Sequence, residues 1–138
     1  MNHTVEANGR LGRAFFAEQD RRRGGSAPEL CSPDYTALLG GNPPIDRDGH
    51  EGFARGFYAA FEGLHHEVED VVASDAAVCV RFRLHGTHTG AFFGIPATGK
   101  TIDVAANVIL HVRDGKVSRV LAVFDEAGLL RQLGVLPG

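Results

Sequence analysis

Cysteine is scarce in this chain. Two occur in 138 residues, Cys31 and Cys79, far apart and without paired spacing. Two cysteines make no disulfide framework, and the cytoplasm is the expected compartment. Cys79 lies in an alternating segment and reads as a small packed residue rather than a nucleophile. Long apolar runs are missing as well, with nothing near the roughly 18 residues needed to cross a membrane. The opening Met1-Asn2-His3-Thr4 has no apolar signal region, so secretion is not expected. A basic surplus is also lacking. The formal net charge of -3 argues against nucleic acid as a partner. The one basic run, Arg21-Arg22-Arg23, reads as a solvated helix end.

What remains is an ordinary globular balance, 43% hydrophobic and 22% charged. The length fits a single domain, 1–138, able to bury a core without disulfide or metal. The 18 glycines fall mostly in turn-like settings and read as hairpin and loop punctuation.

Hydrophobic spacing predicts a helix from about Val5 to Arg23, with Leu11, Ala14 and Phe15 on one side and Gly24-Gly25 as the stop. Ser26 to Gly49 reads as a loop, with room for a short helical turn around Pro33–Leu39. A second helix is expected from about Glu51 to Glu62, on the stripe Phe53, Phe57, Ala60 and Phe61. The period then changes to two. Strands are expected at His66–Val72, across Val78, Val80, Phe82 and Leu84, at Ile102–Val112 and at Val117–Phe124, followed by a short helix through Leu129, Leu130 and Leu133. Helices first, then antiparallel strands, then a closing helix indicate an α+β fold. A curved sheet wrapped over helices would make a cone with an apolar mouth, suited to a small hydrophobic molecule.

Strand parity sharpens this expectation. If Arg113-Asp114-Gly115 form a three-residue loop, even residues face even residues across the last hairpin. Val104, Ala106, Val108, Leu110, Val112, Val120, Ala122 and Phe124 then share one wholly apolar face. Asn107, Ile109, His111, Leu121, Val123 and Asp125 share the other, a half-apolar surface suited to a dimer interface. A two-residue turn would mix the faces.

Several motifs invite chemistry. Gly94-Ile95-Pro96-Ala97-Thr98-Gly99-Lys100-Thr101 matches the phosphate-loop pattern letter for letter. That chemistry needs a helix after the loop, and Thr101 onward reads as a strand, so a loop between strands is expected. Seven histidines raise a metal site, but no three or four ligands converge by spacing, so no metal is expected. His65 and His66 are adjacent and point apart. Asp125, after the apolar run Val120–Phe124, reads either as an acid/base carboxylate or as a helix N-cap. His88 reads either as a proton carrier or as a turn residue bonded to backbone. Arg81 either binds an enolate or carboxylate or is solvated.

Four segments occur in order: Gly86-Thr87-His88-Thr89-Gly90, Gly94-Ile95-Pro96 with Gly99, Asp114-Gly115-Lys116, and Gly128-Leu129-Leu130-Arg131-Gln132-Leu133-Gly134. With Pro33-Asp34-Tyr35 and Asn42-Pro43-Pro44, this set resembles the SnoaL-like polyketide (ester) cyclase family. The resemblance implies a nuclear-transport-factor-2-like cone, its curved antiparallel sheet packed on N-terminal helices, and a homodimer or higher homo-oligomer. It implies cofactor-free closure of a polyketide ester, an aspartate moving the proton. Carried over without a gap, that aspartate falls at Ala122, its polar partner at Val108, the neighbouring tryptophan at Leu121 and a histidine at Gly41, while Arg81, His88 and Asn42 are retained.

Two functions follow as expectations. One is an enzyme of altered cofactor-free proton-transfer chemistry (cyclisation, isomerisation, dehydration or hydrolysis). His88 would be its acid/base and Asp125 the fallback carboxylate, with Arg81, Asn42, Tyr35, Phe57 and Ala122 contacting the substrate. The other is a non-catalytic small-ligand-binding module on the same fold.

Overall fold

The computed structural model describes residues 3–136. Helix α1 (His3–Arg21) is followed by a short 3-10 turn (Pro28–Leu30) and strand β1 (Cys31–Leu39). Then come α2 (Arg47–Ala60), β2 (Phe61–Ala73), β3 (Ala77–His88), β4 (Thr101–Arg113), β5 (Lys116–Phe124) and α3 (Glu126–Gln132). The strands form one curved sheet in the order β1-β5-β4-β3-β2. No helix among the described residues is long and apolar enough to cross a membrane.

α1 presents Leu11, Phe15, Phe16 and Gln19 to the sheet, the i, i+4 stripe of an amphipathic helix. It ends on a Schellman motif. Arg23 takes a left-handed φ of 53°, its N–H donating to the Asp20 carbonyl, and the Gly24 N–H donates to the Gln19 carbonyl. The left-handed position is therefore an arginine, and the glycine expected to stop the helix stands one residue later. α2 starts earlier than its apolar stripe suggests, because Asp46 caps it by accepting from the Gly49 N–H at 2.8 Å.

The sheet is mixed, not purely antiparallel. β1 runs parallel to β5, in the segment expected to be a loop with a helical turn. Tyr35, Ala37 and Leu39 do alternate inward. Ser32, Pro33 and Asp34 mask that alternation, and an irregularity between Cys31 and Thr36 absorbs them, as an edge strand permits.

The last hairpin reaches the expected parity by another route. Asp114 and Gly115 have φ values of 52° and 74°, and Arg113 pairs with Lys116 across a two-residue turn. That turn alone would mix the faces. A bulge at Ser118 adds one residue, after which Leu110 faces Val120 and Val108 faces Ala122. Val104, Ala106, Val108, Leu110 and Val120 accordingly line the buried side. Thr101 opens β4, so the phosphate-loop match leads into a strand, as its β-branched residues predict.

Candidate active site

Between α1, α2 and the inner face of the sheet lies a cavity of about 100 Å³. Phe16 of α1, Phe53 and Phe57 of α2, Phe82 of β3, Val108 of β4 and Ala122 of β5 contribute its apolar wall. Space of that order holds at most about one aromatic ring, given that a ~150 Å³ apolar cavity takes benzene, so a larger substrate must project beyond it. Gly40 and the exposed Val123 also border it and mark its mouth.

Four polar side chains interrupt this wall: Gln19, His50, Tyr58 and His66. Two of them converge on a carboxylate. Asp20, near the end of α1, accepts from the Tyr58 hydroxyl at 2.6 Å and from His66 Nδ1 at 2.7 Å, both on Oδ1. Its Oδ2 accepts the His66 backbone N–H at 3.0 Å. Burial pushes the Asp20 carboxyl upward, but the bonds from His66 and Tyr58 outweigh it and hold the pKa below the usual value. Ionised Asp20 can only accept, so Nδ1 of His66 carries the hydrogen, and in the neutral ring the lone pair is on Nε2. Nε2 has no hydrogen-bond partner among the described residues. The ring is wedged between Phe16 and Phe82, with centroids at 4.9 and 4.5 Å. A carboxylate that fixes one imidazole nitrogen and leaves the other free is the arrangement of a general base.

His66 faces inward because of one glycine. Gly63 adopts φ 71° where the β2–β3 register shifts between Glu62 and His65. The extra residue exchanges the two faces of β2. Leu64 and His66 turn in, while His65 turns out and stacks on His85.

His50, in the first turn of α2, also borders the cavity. Its Nδ1 is 2.7 Å from the hydroxyl of the buried Tyr35. Burial pushes the His50 pKa down to about 4, so the ring is neutral near pH 7. The unfolded chain takes up this proton near the ordinary value of 6.5. Between about 6.5 and 4 the unfolded state therefore binds more protons than the native one, and stability is lost as pH falls through that window. The full effect is about 3 kcal/mol, since each tenfold difference in proton affinity is worth about 1.4 kcal/mol. Asp20, with its lowered pKa, adds a further loss only as pH falls below its own unfolded value of 3.8. The expected outcome is a thermal midpoint that falls from pH 7 to pH 4.5 in the wild type and falls much less in His50→Gln. Equal falls would show that His50 is not the group responsible.

The family model for SnoaL-like polyketide cyclases matches residues 10–133. The chain belongs to the SnoaL-like polyketide cyclase family. AclR, a candidate hydroxylase from Streptomyces galilaeus, is 26% identical over 97% of this chain and 89% of its own, with a TM-score of 0.87. IdmH, a candidate polyketide cyclase from Streptomyces antibioticus, is 27% identical over 97% of this chain and 100% of its own, with a TM-score of 0.74. A Catenulispora acidiphila protein with a ketosteroid isomerase-like fold is 16% identical over 91% of this chain and 93% of its own, with a TM-score of 0.75, a likeness of fold alone. No curated protein matches significantly. The fold is thus the α+β cone implied by the resemblance, with one parallel edge strand.

In this SnoaL-like chain the expected site residues part company. Phe57 and Ala122 line the cavity. Tyr35 stands behind it and reaches it only through His50. His88, the expected acid/base, is not on the cavity wall. It is fully buried at the end of β3, beside Phe61 at 5.1 Å, and its Nδ1 accepts the Thr98 N–H at 3.2 Å. It secures the β3–β4 connection instead. Asp125 is exposed and caps α3, accepting from the Gly128 N–H at 2.9 Å. Arg81 lies on the outer face, paired with Glu69 at 3.3 Å and donating to Asn107 at 3.4 Å. Asn42 is exposed and donates to the Leu39 carbonyl. Odd numbering along β3 places Arg81 outside, since the inward set is Val78, Val80, Phe82 and His88. Among the described residues no three His, Cys, Asp or Glu side chains gather as a metal set.

Proposed function

We propose that this protein performs cofactor-free proton transfer on a small hydrophobic, polyketide-like molecule, with His66 as the acid/base. The Asp20–His66 hydrogen bond at the wall of an apolar cavity is the observation that carries this reading. Nε2 takes a proton from a carbon next to a carbonyl. The imidazolium that forms is stabilised by the Asp20 carboxylate, and it returns the proton at a later step. The alternation in β5 that puts Ala122 on the wall leaves a methyl group where the resemblance implies the family's aspartate. His66 enters the same cavity from β2, and it replaces His88 and Asp125 as the proposed proton carrier. The homodimer implied by the resemblance would use the outer face, where Ile109 is exposed.

The test is deuterium exchange at C1 of 2-tetralone, together with closure of an aromatic polyketide methyl ester followed by chromatography. The wild type should exceed the buffer rate in the exchange, and His66→Gln should lose about 10²–10⁴-fold of that acceleration. Exchange at the buffer rate by the wild type would end the proposal. If 2-tetralone also bound unchanged, it would return the protein to the ligand-binding module that Ala122 and Val108 favour.

A further inference from the structure

The second histidine on the cavity wall is held in the opposite sense to the first. Tyr35 is 3% exposed, and its hydroxyl has one hydrogen-bond partner among the described residues, His50 Nδ1. A buried hydroxyl hydrogen left without an acceptor is costly, so Tyr35 donates and Nδ1 accepts. The neutral ring then carries its hydrogen on Nε2. That atom has no partner among the described residues. The neutral form of His66 is the reverse, with its hydrogen on Nδ1, donated to Asp20, and its lone pair on Nε2. One apolar cavity thus has a hydrogen-bond acceptor on one side chain and a neutral hydrogen-bond donor on another, both bordering it.

We propose that His50 donates through Nε2–H to the carbonyl oxygen of an enolisable ketone or β-dicarbonyl substrate, and so is a second catalytic residue. The step balances without a further reactant. The C–H bond α to the carbonyl breaks, its proton passes to His66 Nε2, and the electron pair moves through the new C=C bond onto oxygen. The enolate oxygen accepts the His50 hydrogen bond, which strengthens as charge develops. A charged imidazolium would bind the oxygen too, but burial keeps His50 neutral, so it donates without giving up its proton to the enolate. Tyr35, whose hydroxyl pKa is raised by burial, stays protonated and keeps the tautomer. Tyr35 is therefore a positioning residue. The role rests on the reading of His66 as the base, and it commits the substrate class to carbonyl compounds with an acidic neighbouring C–H.

Three measurements separate the two ideas. The nitrogen-15 spectrum of the wild type should show His50 as the Nε2–H tautomer at neutral pH, and the Nδ1–H tautomer would overturn the proposal without any variant. The infrared carbonyl stretch of bound 2-tetralone should be lowered in the wild type and in His66→Gln, but not in His50→Phe. A stretch equally low in His50→Phe would overturn the donor role while leaving the base in place. Deuterium exchange should fall by about 10²–10³-fold in His50→Phe, and an unchanged rate in that variant would overturn the catalytic role. Wild-type exchange at the buffer rate, with the stretch still lowered, would instead remove His66 as the base and retain His50 as the carbonyl donor.

Discussion

Asp20→Asn should lower kcat for 2-tetralone exchange by about 10²–10⁴-fold while changing KM little. The reason is the tautomer. An Asn amide facing His66 donates to Nδ1 and drives the hydrogen to Nε2, which removes the lone pair from the cavity. The backbone N–H of His66 and the hydroxyl of Tyr58 each lose a charged acceptor, so stability should also fall by about 1–3 kcal/mol. The kinetic and structural parts separate by nitrogen-15 NMR. A folded Asp20→Asn protein with His66 still in the Nδ1–H form and with kcat unchanged would show that Asp20 serves stability alone. Recovery of rate in Asp20→Glu would show that the carboxylate itself is what matters.

Gly24→Ala should be the most damaging small substitution outside the cavity. Gly24 has φ +106°, and an added Cβ would lie 2.8 Å from the Arg55 backbone nitrogen and 2.9 Å from its Cα. Neither the conformation nor the neighbour can yield cheaply, since both are backbone. The expected cost is about 2–4 kcal/mol, a fall in Tm of roughly 10 °C for a chain of this size. Gly56→Ala makes the contrast. Its Cβ would meet nothing within 4 Å on an ordinary helical backbone, and it should stabilise the protein by up to about 1 kcal/mol. Thermal melts of the two variants decide the point, and equal melting temperatures would refute it. Gly24 also ties the end of α1 to α2, the join that carries Asp20 and Gln19. A destabilised join should therefore slow exchange even in the fraction that stays folded.

Legibility along the chain followed the range of the signal. β3, β4 and β5 could be read because alternation is local: each inward residue is flagged by its own neighbours. The short α3 is readable for the same reason, while Asp125 before it stands open between cap and carboxylate until the structure shows it accepting from the Gly128 N–H. β1 was not, because Ser32, Pro33 and Asp34 interrupt its alternation and only pairing with β5, more than 80 residues later (Cys31 with Val117), holds the segment extended. The parity of the last hairpin was reached through an incorrect turn, as the bulge at Ser118 cancelled the error. The candidate site was least legible. His88 is conspicuous in the sequence as a glycine- and threonine-flanked histidine, yet its neighbours build a connection rather than a cavity. His50 and His66 carried no spacing signal at all. Asp20 and His66 are 46 positions apart, and no helical or strand period spans that distance. The one available hint was Gly63, an isolated glycine ahead of a strand, which is a sign of a bulge.

Local chemistry dictates the helix faces, the strand faces, a strand rather than a helix after the phosphate-loop match, and an apolar inner surface on β4 and β5. Which polar groups border that surface depends on long-range contacts. A bulge of one residue chose His66 over His65. The docking of α1 brought Asp20 to it, and the fold of β1 against α2 set Tyr35 behind His50. Each of these depends on contacts between segments far apart in the chain. The free energy of such a contact is set by both partners at once, so neither segment's own residues reveal it.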